Sequence, residues 1–201
     1  MSLAPPATGD QTSSTVPLTV WPTLTDTQPG AIPPAAAARA IATFSQPDDL
    51  IVVIDGPVII RDAAIHLHRR YTAVSRPTTD TGGRAWPSPA GHAGLVIDYP
   101  PAGDPQTLLP AFVQTAGLLR PGGILLTVHT PTAGATDPLT TGITTARAAG
   151  LRYLQHIVVL TTPISGGRLH PAGHPHIPPG GLVVPVHTDL AVFTTAGGRR
   201  D

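Results

Sequence analysis

Two short segments combine a carboxylate with residues that shape a loop, and each directly follows an apolar run. The segments are Asp55 and Gly56 after residues 50–54, and Asp98, Tyr99, Pro100 and Pro101 after residues 95–97. Ligand crevices in parallel sheets lie at the carboxyl ends of strands, and a glycine there lets the backbone approach a ligand closely. Carboxylate oxygens accept hydrogen bonds from hydroxyl and amino groups. These two segments are therefore the places in the chain where a ligand is expected to bind.

The composition excludes several kinds of site. The chain has no cysteine, which excludes disulfides and thiolate metal sites. All twelve basic residues are Arg and all twelve acidic residues are Asp, so any carboxylate chemistry must come from Asp. The formal net charge is zero, which argues against strong nucleic-acid binding, although twelve Arg could still cluster in space.

Apolar runs alternate with segments of helical periodicity along most of the chain. Short aliphatic runs without polar alternation are typical of parallel strands buried on both faces. The predicted strands are 50–54, 71–74, 95–97, 124–128, 153–160 and 182–193, and the predicted helices are 33–42, 60–69, 106–119 and 141–149. This order predicts an α/β fold with a doubly wound, mostly parallel sheet. Since only a loop joins the last two strands, we expect the sheet to end in an antiparallel hairpin.

The ends of the chain differ from its centre. Residues 1–30 are rich in Pro, Thr and Ser and are predicted to be a partly disordered tail, with Val20 and Trp21 as candidate anchors. Residues 31–195 form the predicted domain, and residues 196–201 a C-terminal tail. Neither a signal peptide nor a membrane span is evident in the sequence, so we expect a cytoplasmic protein with no membrane partner.

Four stretches carry a resemblance to a known family. They are residues 32–55, 66–75 (HLHRRYTAVS), 95–101 (LVIDYPP) and 118–127 (LLRPGGILLT). In order and spacing they resemble the bacterial DNA methylases that modify exocyclic amino groups, particularly the actinobacterial members. The resemblance spans residues 33–195 and implies a Rossmann-like methyltransferase sheet that uses S-adenosylmethionine (SAM).

The resemblance implies a cofactor site made by Asp55, Gly56 and Ser75. In the family, an Asp and a glycine-rich turn follow the first strand, and a carboxylate that holds the ribose hydroxyls follows the second. Asp55 and Gly56 match the turn, but bulky residues occupy 58–60, where small ones are expected. Ser75 stands at the carboxylate position and cannot make a bidentate contact; Asp80 is a weaker alternative. These departures predict weakened SAM binding and an occluded crevice.

The catalytic tetrapeptide of the family begins with Asp, Asn or Ser, continues with two prolines and ends in an aromatic residue that stacks on the flipped base. The resembling segment here is Tyr99-Pro100-Pro101-Ala102, with Asp98 one position earlier. A shifted loop could let Asp98 act as the acceptor and Tyr99 as the stacking platform. Alternatively, Asp55 and Asp98 only cap helices or satisfy loop amides.

Three hypotheses about function remain open. The first is a SAM-dependent methyltransferase-like protein with weak or lost activity, acting as a binding or scaffold module for a protein partner. The second is an active methyltransferase on DNA bases or another amino-group acceptor, although only about twenty residues separate strand two from the catalytic strand, too few for a recognition domain. The third is a metal site in the His-rich loop 166–176 with Asp189 as a further ligand. No metal is expected under the first two.

Overall fold

The computed structural model describes residues 16–24, 32–76, 90–130, 137–169 and 186–195. The strands in these ranges are β1 (Leu18–Trp21), β2 (Leu50–Ile54), β3 (Arg70–Val74), β4 (Ala93–Asp98), β5 (Leu119–His129), β6 (Arg152–Leu160), β7 (Ile164–Ser165), β8 (Arg168–Leu169) and β9 (His187–Thr194). The helices are α1 (Pro34–Phe44), α2 (Ile59–His66), α3 (Pro105–Ala116) and α4 (Pro138–Ala148).

Seven strands form one sheet in the order β1-β6-β9-β5-β4-β2-β3. All neighbours in it are parallel except β9, which runs antiparallel to both β5 and β6. The predicted antiparallel pairing of the last two strands is confirmed. The sequence did not indicate that β9 inserts between β5 and β6.

The core consists of two apolar layers, one on each face of the sheet. Alternate residues of the central strands, such as Val53 and Val52, belong to different layers. Helices α1 and α2 cover one layer, and α3 and α4 cover the other. The fully buried strands therefore read as continuous aliphatic runs, and the predicted doubly wound α/β sheet is confirmed.

Two local predictions need correction. Arg120, Pro121, Gly122 and Gly123 do not precede the fifth strand; they form an irregularity inside β5, where Ala93 pairs with Leu119 and Leu95 with Ile124. Gly122 takes a φ of 72° there, which a residue without a Cβ adopts at low cost. The segment after β6 was predicted to be only a loop, but it contains the short hairpin β7–β8. Residues 182–185 of the predicted last strand lie outside the described ranges.

Strand β1 extends the sheet at its edge, within the segment predicted to be a tail. It pairs in parallel with β6, from Leu18 with His156 to Trp21 with Val159. Trp21 is 4% exposed and lies under the guanidinium of Arg39, 4.7 Å from the ring centroid, so it is an anchor as predicted. Val20 is half-exposed and anchors nothing. The rest of the predicted N-terminal tail and residues 196–201 are outside the described part of the chain.

No helix in the described ranges is long and apolar enough to span a membrane.

Candidate functional site

The two segments singled out by sequence meet at the carboxyl edge of the sheet. Strands β2 and β4 are neighbours, and Ile54 pairs with Asp98. Asp55 follows β2 directly, and the Tyr99 amide donates to the Ile54 carbonyl. The fold therefore places Asp55, Gly56, Asp98 and Tyr99 around one point, because parallel neighbouring strands end at the same edge.

Arg76 connects the two carboxylates. Its Nη2 donates to Oδ1 of Asp98 in a very short ion pair, and its Nε lies 3.5 Å from Oδ2 of Asp55. Its backbone amide also donates to Oδ1 of Asp55, at 3.1 Å. The side chain is 15% exposed, and neither Nε nor Nη1 has a hydrogen-bond partner among the described residues. A largely buried guanidinium thus spans the ends of β3, β2 and β4.

Asp98 is the most deeply buried member of this group. Its carboxylate is 1% exposed and also accepts a hydrogen bond from the Thr115 hydroxyl on α3, at 3.3 Å. Burial raises the pKa of Asp98 to about 6, although the charge and hydrogen bond of Arg76 and the bond from Thr115 lower it. Neither Asp98 nor Asp55 caps a described helix, since the capping carboxylates there are those of Asp104 on α3 and Asp137 on α4. Asp55 does satisfy a loop amide, that of Arg76, as the alternative interpretation of the sequence allowed.

Asp55 holds the loop after β2 in an unusual conformation. Its φ of 52° lies in the left-handed region, which Asp tolerates better than most residues. The Asp55 amide donates to the Val74 carbonyl at the end of β3. Ser75, which follows Val74, is exposed. The position that the resemblance assigns to a ribose-binding carboxylate therefore offers one outward hydroxyl, and its neighbour Arg76 turns inward.

Gly56 lies against the Tyr99 ring. A Cβ added at Gly56 would lie 2.9 Å from Tyr99 Cε2 and even closer to Val53 Cγ1. Burial raises the pKa of the Tyr99 phenol, and the nearby backbone amide of Ile32 partly opposes this. No described residue meets hydrogen-bond geometry at the Tyr99 hydroxyl. The absence of a side chain at Gly56 thus admits the Tyr99 ring.

A separate pocket opens beside Tyr99, at the carboxyl ends of β4 and β5. Its volume is about 210 Å³, and the residues that line it include Tyr99, Pro100, Pro101, Leu108, Val128 and His129. For comparison, an apolar cavity of about 150 Å³ accommodates benzene. The predicted Pro100-Pro101 turn therefore lines a pocket of the size of one or two rings.

His129 supplies the imidazole in this mainly apolar wall. The ring is 5% exposed, and its Nε2 shares a 2.8 Å hydrogen bond with the Thr127 hydroxyl. Burial lowers the pKa of His129 to about 4, although the Asp189 and Asp137 carboxylates raise it. The ring is consequently neutral at pH 7, and it can donate or accept a hydrogen bond without attracting an anion.

Sequence reasoning missed Arg76 and His129. Arg76 directly follows Ser75, the position at which the resemblance implies a carboxylate. Because it follows a predicted strand just as Asp55 and Asp98 follow or end theirs, its positive charge could have been expected to meet them. His129 follows the apolar run of β5 just as Asp98 ends that of β4. The same strand-end criterion would have found it.

We expect Gly142→Ala to destabilise the protein by about 1–3 kcal/mol. A Cβ at Gly142 on α4 would lie 2.5 Å from Cε1 of His129, and the ring is held by Thr127. Gly103→Ala is the matched control, because the nearest atom to its Cβ would be 3.7 Å away. Urea unfolding measures both. If the ring moves aside freely, the gain in helix propensity would instead stabilise Gly142→Ala by about 1 kcal/mol.

The metal site of the third hypothesis has no counterpart in the described ranges. Asp189 is engaged with two imidazoles, His156 at 2.9 Å and His187 at 3.4 Å. Within the described residues no group of three or more His, Cys, Asp or Glu side chains has an arrangement that could hold a metal ion. The histidines of residues 170–176, and Asp80, lie outside the described ranges.

Comparison with known proteins identifies the fold. No protein-family model matches the chain, and no curated protein matches it in sequence. A solved structure of a candidate sarcosine dimethylglycine methyltransferase from Galdieria sulphuraria matches with a TM-score of 0.50 and 11% identity, over 82% of this chain and 86% of that one. The chain has the class I methyltransferase fold.

Two further solved structures resemble it less closely. A TehB-like SAM-dependent methyltransferase from Corynebacterium glutamicum matches with a TM-score of 0.42 and 13% identity, over 79% of this chain and 86% of that one. A candidate DNA modification methylase from Thermus thermophilus matches with a TM-score of 0.40 and 20% identity, over 57% of this chain and 50% of that one.

Proposed function

We propose that this protein is a methyltransferase-fold binding module whose cofactor crevice is closed by Arg76, so that methyl transfer from SAM is weak or lost. The observation that carries the proposal is the double contact of Arg76 with Asp55 and Asp98. These are the carboxylates that the family resemblance would leave free for cofactor and acceptor. The residues present fit SAM poorly, because Asp55 already accepts a hydrogen bond from the Arg76 amide and lies 3.5 Å from the Arg76 guanidinium, which also pairs with Asp98.

The energy of this closure supports the proposal. A methyl-acceptor substrate that uses Asp98, the role that the resemblance implies, must displace Arg76 from a carboxylate that is 1% exposed. Breaking a buried ion pair costs about 3–5 kcal/mol, which lowers an affinity by roughly 100-fold to more than 1,000-fold. Ser75 is exposed and Tyr99 covers Gly56, so neither of the other predicted cofactor contacts compensates.

The pocket beside Tyr99 gives the module a place to bind. Its wall is mainly apolar, and its imidazole, that of His129, is neutral at pH 7. Small-molecule sites commonly combine an apolar wall with a few polar groups that orient the ligand. We therefore assign the pocket to a neutral ligand of one or two rings, or to an apolar side chain of a protein partner.

Calorimetry with SAM and S-adenosylhomocysteine tests the proposal. We expect neither ligand to bind the unaltered protein with micromolar affinity. SAM binding to Arg76→Ala, in which the closure is removed, is compared with SAM binding to Arg61→Ala. The second variant removes an exposed arginine that is paired with Asp62. Circular dichroism verifies that each variant is folded. Micromolar binding of SAM to the unaltered protein would disprove the closure.

The second candidate is an active methyltransferase on a DNA base or another amino-group acceptor. It is favoured by the pocket itself, which lies beside Tyr99, Pro100 and Pro101, the segment that resembles the catalytic tetrapeptide. Micromolar SAM binding followed by transfer of labelled methyl groups to DNA would establish this function. The cytoplasmic location stays a prediction under either candidate.

A further inference from the structure

A groove lies at the amino ends of the strands, which we call the amino edge of the sheet, whereas the candidate site lies at their carboxyl ends. It is open to solvent, has a volume of about 640 Å³, and is lined by Val16, Pro17, Arg147, Arg152, Tyr153 and Leu154 among others. Arg152 and Tyr153 begin β6, and the Pro17 carbonyl accepts from the His156 amide at the start of β1. The carboxyl end of β6 is eight residues further on, or roughly 25 Å away.

The charge of this groove is uncompensated. Arg147 lies in the last turn of α4 and Arg152 at the start of β6, and both are exposed. Neither guanidinium has a hydrogen-bond or ion-pair partner among the residues that the structure describes, and no described residue lining the groove carries a carboxylate. By contrast, Arg120 at the start of β5 pairs with Asp49. A guanidinium presents a planar fork of donors that matches phosphate.

An aromatic ring lies in the same groove. Tyr153 is half-buried and packs against Phe193, with ring centroids 5.3 Å apart. This contact holds the ring in place while part of it faces the groove. Proteins that bind single-stranded nucleic acid combine basic side chains, which contact the phosphates, with aromatic rings, on which the bases stack. A duplex keeps its bases stacked inside and offers none to such a ring.

From these observations we propose that the groove at the amino edge binds single-stranded nucleic acid, with Arg147 and Arg152 on phosphates and Tyr153 stacked on a base. The site is separate from the cofactor crevice and from the pocket beside Tyr99. Since the whole chain has no net charge, the attraction is local and the affinity depends on these few contacts. Two phosphate contacts to a single strand predict a slope of about −1.4 for log affinity against log salt.

Fluorescence anisotropy of a labelled twelve-nucleotide oligothymidylate with the full chain tests this at low salt. We expect salt-dependent binding with the slope given above. Arg147→Ala/Arg152→Ala should weaken it at least tenfold, and Tyr153→Leu about fivefold or more. Arg61→Ala/Arg168→Ala is the matched control, because it removes two exposed arginines from other elements. It should leave the affinity unchanged within twofold.

Three results would overturn the assignment. The first is no binding at low salt. The second is equal loss of binding in both double-arginine variants, which would mean diffuse charge attraction. The third is displacement of the oligonucleotide by an oligoaspartate of equal charge as effectively as by unlabelled oligothymidylate, which would point to an acidic protein segment instead. The double-arginine variants leave Arg76 in place, so their SAM calorimetry reports only on the proposed closure. Failure of the groove proposal can therefore be distinguished from failure of the proposed function.

Discussion

Arg76→Met is expected to lower the unfolding free energy by about 3–5 kcal/mol at pH 7. The substitution keeps most of the aliphatic volume but removes the guanidinium that neutralises Asp98. Asp98 is 1% exposed and would be left with the Thr115 hydroxyl as its remaining side-chain donor among the described residues. Because an unpaired buried carboxylate takes up a proton more readily, the loss should be larger at pH 8 than at pH 5.

A double-mutant cycle separates the charge effect from packing. We expect Arg76→Met/Asp98→Asn to recover most of the loss, since removing both partners of a buried pair is often close to neutral. Arg61→Met is the control for the arginine side chain itself. Its partner Asp62 is exposed, so this variant should cost less than about 1 kcal/mol. Additive losses in the cycle would mean that Arg76 and Asp98 are not energetically coupled.

The stability of the unaltered protein should change little between pH 4 and 6, because two buried groups act in opposite directions. The pKa of Asp98 is about 6 in the folded protein against the ordinary value of 3.8 in the unfolded chain, so the folded state holds this proton more tightly. The stabilisation that Asp98 adds to the unfolding free energy is fully present below pH 3.8, and it is lost as the pH rises through about 6. The difference corresponds to roughly 3 kcal/mol.

His129 has the opposite effect. The pKa of His129 is about 4 in the folded protein against the ordinary value of 6.5 in the unfolded chain, so the unfolded chain binds this proton more tightly. The contribution of His129 to the unfolding free energy is therefore fully present above pH 6.5. It is lost as the pH falls toward about 4, again by roughly 3 kcal/mol. In the range where both groups titrate, the two contributions largely cancel.

Urea unfolding across pH 4–7 can resolve the two contributions. Asp98→Asn should expose the slope due to His129, with stability falling on acidification. His129→Asn should expose the opposite slope, with stability falling as the pH rises. Each variant is compared with the unaltered protein at the same pH, so titration of the exposed aspartates cancels. Parallel pH profiles for all three proteins would contradict these assignments.

Much of the fold was determined by the sequence alone. The aliphatic runs of β2 and β4 identify strands covered on both faces, because only a central parallel strand buries every residue. The aspartates that follow or end these runs could be assigned to the carboxyl edge, since a strand's end is a local property of the chain. For the same reason the order of strands and helices predicted a doubly wound sheet with an antiparallel end.

The partners of the buried groups were decided by the tertiary structure. Arg76 and Asp98 are 22 residues apart, and their contact depends on β2 lying between β3 and β4. His129 is buried because Gly142 on another element leaves room for its ring. Strand β1 is held by Trp21 and Arg39, and β9 inserts between β5 and β6. Periodicity indicates which residues are buried, but it does not indicate which residues bury them. The pairing of Arg76 with Asp98 therefore could not be predicted from the sequence.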